Sequence, residues 1–218
     1  AFESHKKKKF EYAEKEYQEI LEKNPDHFQT ILLLGTLYLQ IKKYNYAKNL
    51  LIKALNLKPK NMDVHYKLAF VYSELKDYKK AINFYNNVLK LKPNHQSANN
   101  NLGLILNELK KFEEAIKFFK KVNSTQAKGS ILKCLYSLNK LDEYKKTLNE
   151  FKPEDHCNIK IGALTAYISE KENIKNSYQF CKNPLDYFFK INLREEIISP
   201  SKFYNKLIPK LKKIKSVF

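Results

Sequence analysis

Apolar residues recur along most of this chain at three- and four-residue steps, and each such stretch is short. Residues 31–51, ILLLGTLYLQIKKYNYAKNLL, read as two amphipathic helices of about a dozen residues joined by a tight turn. Residues 65–85, HYKLAFVYSELKDYKKAINFY, and 99–116, NNNLGLILNELKKFEEAI, have the same texture, with LKD and LKK as the turns. No strand-like alternation of comparable length appears anywhere, so the pattern predicts an all-α chain.

The helices repeat in register. Gly35, Ala69 and Gly103 stand 34 positions apart. The same step links Pro25, Pro59 and Pro93, then Ala13, Ala47, Ala81 and Ala115, then Leu34, Leu68 and Leu102, then Tyr38 and Tyr72. A glycine inside a helix costs roughly 1 kcal/mol relative to alanine. Its recurrence with alanine at one register position predicts a site where a neighbouring helix comes close. Each proline ends a second helix, and the next pair begins two or three residues on. One such pair cannot bury its apolar faces alone, so successive pairs must stack.

These residues resemble the tetratricopeptide repeat family, whose pattern is a bulky residue at position 4, Leu-Gly or Leu-Ala at 7 and 8, Tyr at 11, Ala at 20, a large residue at 24, a small one at 27 and Pro at 32. Repeat 28–61 supplies Ile31, Leu34, Gly35, Tyr38, Ala47, Leu51, Ala54 and Pro59. Repeat 62–95 supplies His65, Leu68, Ala69, Tyr72, Ala81, Tyr85, Val88 and Pro93. Repeat 96–122 supplies Asn99, Leu102, Gly103, Leu106, Ala115, Phe119 and Val122, without a closing proline. Residues 1–27 read as the tail of a further repeat, and the start at Ala1, in mid-repeat and without Met, suggests a truncated beginning. The resemblance implies a right-handed superhelix of stacked antiparallel helix pairs.

Beyond Val122 the register breaks. Residues 123–151 still read as a degenerate helix pair, with Tyr144 where the small alanine is expected. Residues 152–193 are expected to add further helices, including 158–174 with Gly162 and Ala163 as a close-packing patch. Residues 194–218 end in a basic amphipathic helix: Ser199 can cap it, and Phe203, Leu207, Leu211, Ile214 and Phe218 share one face. Capping of the open end of the superhelix is the expected role. The stretch 176–193 resembles the segment that joins helical repeats to a 2-oxoglutarate- and iron(II)-dependent oxygenase domain in bacterial repeat proteins. That resemblance implies an alternative: the chain is the docking part of a larger enzyme, an oxygenase first and a sulfo- or glycosyltransferase behind it, whose catalytic domain lies beyond Phe218.

The composition changes this picture little. Hydrophobic residues at 43% and aromatics at 13% suffice for a continuous core. Cys134, Cys157 and Cys181 show no C-x-x-C spacing, which favours reduced thiols in the cytosol. The longest apolar run, ILLLGTLYL, is too short to span a bilayer. The net charge of +18 raises nucleic acid or anionic lipid as partners, but the only arginine is Arg194. Nucleic-acid readers favour arginine's bidentate contacts.

The resemblance places a ligand groove on positions 2, 5, 6, 9, 12 and 13 of each first helix. Asp63, Glu74 and Glu108 against Lys67 leave that face with two net negative charges. The lysines are therefore expected to form a solvated outer surface, with neither nucleic acid nor membrane as the partner. The groove's candidate ligand residues are Gln29, Leu32, Thr36, Tyr66, Lys67, Phe70, Asn100, Asn101, Leu104 and Asn107. This mixture of apolar side chains and amides suits a protein or peptide segment.

Candidate chemistry is thin. His27 and His95 follow turn prolines and are expected at helix starts, and His65 is expected to pack. His156 beside Cys157 lacks further ligands at metal spacing. There is no glycine-rich phosphate loop, no G-x-S-x-G and no H-x-D. The sequence thus predicts a non-catalytic scaffold with no cofactor.

Overall fold

The computed structural model describes residues 1–150 and 159–173. It contains α1 (Phe2–Lys6), α2 (Phe10–Lys23), α3 (Phe28–Gln40), α4 (Tyr44–Leu57), α5 (Met62–Glu74), α6 (Tyr78–Leu91), α7 (Gln96–Glu108), α8 (Phe112–Phe119), α9 (Thr125–Ser137), α10 (Leu141–Asn149) and α11 (Ile159–Lys171). The described residues include no strand, and the chain is an all-α solenoid of stacked helix pairs. It divides into two units, 1–138 and 139–218. The expected aromatic turn segment 176–193 and the C-terminal amphipathic helix lie outside the described residues, as does the His156–Cys157 pair.

In the first unit, α3 packs on α4, α5 on α6 and α7 on α8. Each second helix then meets the first helix of the following pair, α4 on α5, α6 on α7 and α8 on α9. First helices also touch one another, α3 with α5 and α5 with α7, which makes them one continuous layer. The core follows the 34-residue period. Ala13, Ala47, Ala81 and Ala115 are wholly buried, and so are Leu51, Tyr85 and Phe119.

The first helices α3, α5, α7 and α9 begin on a side-chain cap. His27, Asn61, His95 and Ser124 accept hydrogen bonds from the backbone N–H groups of Thr30, Val64, Ala98 and Ala127. These caps satisfy donors that the helix leaves orphaned. The turn proline leaves a carbonyl to be satisfied; Lys53 Nζ takes that of Pro25 at 2.6 Å, and the side chain at position 4 takes those of Pro59 and Pro93. His65 Nε2 donates to the Pro59 carbonyl at 2.8 Å, and Asn99 Nδ2 donates to the Pro93 carbonyl at 2.9 Å. His65 is half-buried against Phe84, with ring centroids 5.7 Å apart.

Each first helix ends in the same way. Lys8, Lys42, Lys76 and Lys110 have φ of 56°, 59°, 62° and 58°, in the left-handed region. The N–H of each bonds three residues back, to His5, Leu39, Ser73 and Asn107. The next N–H bonds five residues back, to Ser4, Tyr38, Tyr72 and Leu106. These two hydrogen bonds close the helix and turn the chain sharply into the second helix. Asn139 and Asn173 take the same conformation. Asn139 follows Lys110 by 29 residues, and Asn173 follows Asn139 by 34. The period therefore resumes after one shortening, which falls in α8: it has 8 residues where α4 and α6 have 14. In the second unit, Tyr144 stands at the register position of Ala115 and is 1% exposed.

A Cβ on Gly103 would lie 2.7 Å from Cε1 of the wholly buried Phe119 ring, whereas one on Gly35 would meet Leu51 Cγ at 3.2 Å. Gly103→Ala is expected to lower stability by about 1–3 kcal/mol in chemical denaturation despite its better helix propensity. Gly35→Ala should change it by less than about 1 kcal/mol. Lys110→Gly should raise stability by about 1 kcal/mol, because glycine adopts positive φ without the Cβ clash. Tyr38 donates to Glu14 Oε1 at 2.7 Å, and burial together with that bond raises its hydroxyl pKa from the usual 10 to about 12. The fold holds the neutral phenol, so this contribution is complete below pH 10 and is lost as pH rises through about 12. Melting points should fall across that window, and Tyr38→Phe should flatten the fall.

Candidate functional site

The layer of first helices presents a face built from equivalent positions of α3, α5 and α7. Side chains there differ in whether the fold already uses them. On α3, Gln29 is exposed, Leu32 is 7% exposed and packs in the core, and Thr36 Oγ1 donates to the Leu32 carbonyl at 2.7 Å. The Thr36 hydroxyl is therefore spent on its own helix. On α5, Lys67 pairs with Asp63 at 3.4 Å, one helical turn away. Phe70 is half-buried.

Tyr66 and Asn101 join α5 to α7. Asn101 Nδ2 donates to the Tyr66 hydroxyl at 3.3 Å and to the Tyr85 hydroxyl at 3.0 Å. Tyr66 also stacks on His95, with centroids 5.3 Å apart and an interplanar angle of 29°. Burial pushes the Tyr85 hydroxyl up, so it remains a neutral phenol. Both Asn101 amide protons are committed to tyrosines, which fixes the two helices against each other.

Asn107 plays a similar part toward α9: its Oδ1 accepts from Cys134 Sγ at 3.3 Å. Burial pushes the Cys134 thiol up to about 11. It stays a thiol at neutral pH, without the thiolate that nucleophilic chemistry needs.

Two residues on α7 remain uncommitted. Asn100 is half-buried, and its amide has no hydrogen-bond partner among the described residues. Leu104, one turn on, is 41% exposed. Residues at i and i+4 share a helix face, so the two form a single patch.

The same register positions on α9 carry Gln126, Ser130 and Lys133, of which Gln126 and Lys133 are exposed. In the sequence the predicted face ends with α7, although Tyr144, at the position of the small alanine, already indexed a repeat starting at Thr125. Charge on the α3–α7 face is modest, and Glu74 is engaged by the Tyr44 hydroxyl at 2.9 Å. Among the described residues no group of three or more His, Cys, Asp or Glu side chains could hold a metal ion. No described helix is long and apolar enough to cross a membrane.

Family models for the tetratricopeptide repeat match residues 28–61, 63–95 and 96–128. Residues 28–128 are thus an array of three tetratricopeptide repeats. No curated protein matches it in sequence. Among solved structures it is similar to the MamA protein, with a TM-score of 0.64 and 23% identity over 82% of this chain and 91% of that one. It is also similar to a tetratricopeptide repeat protein from Parabacteroides merdae, with a TM-score of 0.69 and 23% identity over 79% of this chain and 70% of that one. At these identities the likeness establishes the fold. Repeats of this fold generally serve as protein-interaction scaffolds.

The division between committed and uncommitted side chains is testable. Asn101→Ala should lower stability by about 1–2 kcal/mol, since it leaves the Tyr66 and Tyr85 hydroxyls without their shared donor. Asn100→Ala should leave the denaturation midpoint within about 0.5 kcal/mol of the parent.

Proposed function

We propose that the chain is a non-catalytic scaffold that binds a protein or peptide segment along the face of its first helices. The observation that carries this reading is the patch on α7, where the exposed Leu104 adjoins the unpartnered Asn100 amide. An amide both donates and accepts, so it matches the alternating N–H and C=O groups of an extended backbone. Leu104, with the half-buried Phe70 on the neighbouring helix, supplies apolar contact for a side chain of that segment. Gln29 extends the same amide chemistry onto α3. Lys67 and Asp63 neutralise each other, and Glu74 and Glu108 bias the face against acidic segments. The buried thiol, the tied hydroxyls and the capping histidines supply no catalytic group here. A scaffold that meets its partner in the cytoplasm is the setting this reading implies.

The test is selection of peptides from a random library on the intact chain, followed by affinity measurement. Asn100→Ala combined with Leu104→Asp should weaken the selected peptides by about tenfold or more while the circular dichroism spectrum is unchanged. The outward pair Lys79→Glu and Lys80→Glu should have no effect. The opposite result, with loss only in the lysine variant, would move binding to the outer surface and overturn the proposal.

A further inference from the structure

The shortening of α8 has a consequence on the outer side of the stack. α6 runs to Leu91, but α8 stops at Phe119, so the last two turns of α6 have no matching length of α8 beside them. A cleft of about 570 Å³ opens there, lined by Asn83, Asn86, Asn87 and Lys90 of α6 and by Phe118 and Lys121. Lys121 Nζ lies 5.5 Å from the centroid of the Phe118 ring. Neither lysine has a carboxylate partner among the described residues. No Asp or Glu occurs between Asp77 and Glu108, nor between Glu114 and Asp142. Lys92 and Lys120, both exposed, add positive charge at the same edge. This face is open, amide-rich and uncompensated in charge.

We infer that this cleft binds an acidic, extended polypeptide segment, at a site separate from the first-helix face. Three asparagine amides offer donors and acceptors to a peptide backbone, and the two ammonium groups lie among them for its carboxylates. A bilayer is flat and cannot enter a cleft. Single-stranded nucleic acid binds on free aromatic faces, and the one ring here is covered by an ammonium group. Residues 199–218 do not complement it, because they carry six lysines and no Asp or Glu.

The experiment measures fluorescence anisotropy of a labelled oligoglutamate peptide titrated with the full chain at physiological ionic strength. Three variants accompany it: Lys90→Glu with Lys121→Glu, Asn83→Ala with Asn86→Ala, and Lys42→Glu with Lys110→Glu as a charge-matched control on the opposite edge. All these positions are exposed. The cleft reversal should weaken binding by about tenfold or more, the amide pair by about threefold, and the control by less than about twofold. Equal loss in the control, or no loss in the amide pair, would show unspecific attraction to a basic surface and overturn the inference. Tighter binding of single-stranded RNA or phosphatidylserine vesicles through the same lysines would also overturn it. Leu104→Asp should leave oligoglutamate binding unchanged, so failure of the groove reading and failure of this one are told apart.

Discussion

Everything in the first unit rests on how closely the two helices of a pair approach. Gly35 faces Leu51 and Gly103 faces Phe119, with no room at Gly103 even for a methyl group. Ala69 and Tyr85 occupy the equivalent positions and are both wholly buried. A small residue on the first helix and a large one on the second form a knob and its socket. Packing density of this kind is sensitive to a single methylene. The close approach fixes the distance between the helices, and the left-handed lysine turn fixes the angle at which the chain returns. Together they make each pair a rigid unit that can be stacked.

Stacking then places the polar groups. After the turn prolines Pro59 and Pro93, the carbonyl left behind is taken by the side chain at position 4 of the next first helix, His65 or Asn99. Where two first helices meet, Asn101 bridges Tyr66 and Tyr85. These bonds are worth little each in net terms, but an unpaired partner in a buried seam costs more than the bond contributes. They make the order of the repeats specific. They also explain why half of the amide and aromatic residues on the inner face are structural: they belong to the seams between repeats, and only what stands between the seams is free for a ligand.

The period of 34, the small residues at 35, 69 and 103, and the prolines at 59 and 93 were legible in the sequence, because each is imposed by backbone geometry at one site. So were His27 and His95 as helix starts. The seam bonds were not. Asn101 and Asn100 are adjacent and chemically identical, and only the phase of α7 against α5 assigns one to two tyrosines and leaves the other free. The lysines at 8, 42, 76 and 110 showed the same period, yet read only as surface charge. Their positive φ is a backbone property that composition conceals, since lysine has no preference for that region. For residues 174–218 the pattern of the sequence has no described counterpart.

The break after Val122 reads in the sequence as decay of the repeat. In the structure it is a single shortening, because the left-handed turn recurs at Asn139 and then, one full period later, at Asn173. The distinction matters for function. Decay would loosen the packing at every position that follows. The shortening of α8 leaves the α7 to α9 seam intact, as the Asn107–Cys134 bond shows. The inner face continues across the break onto α9, while the outer face gains a cleft at α6. One local change in length thus preserves the surface common to all the repeats and creates another that a regular array would not have.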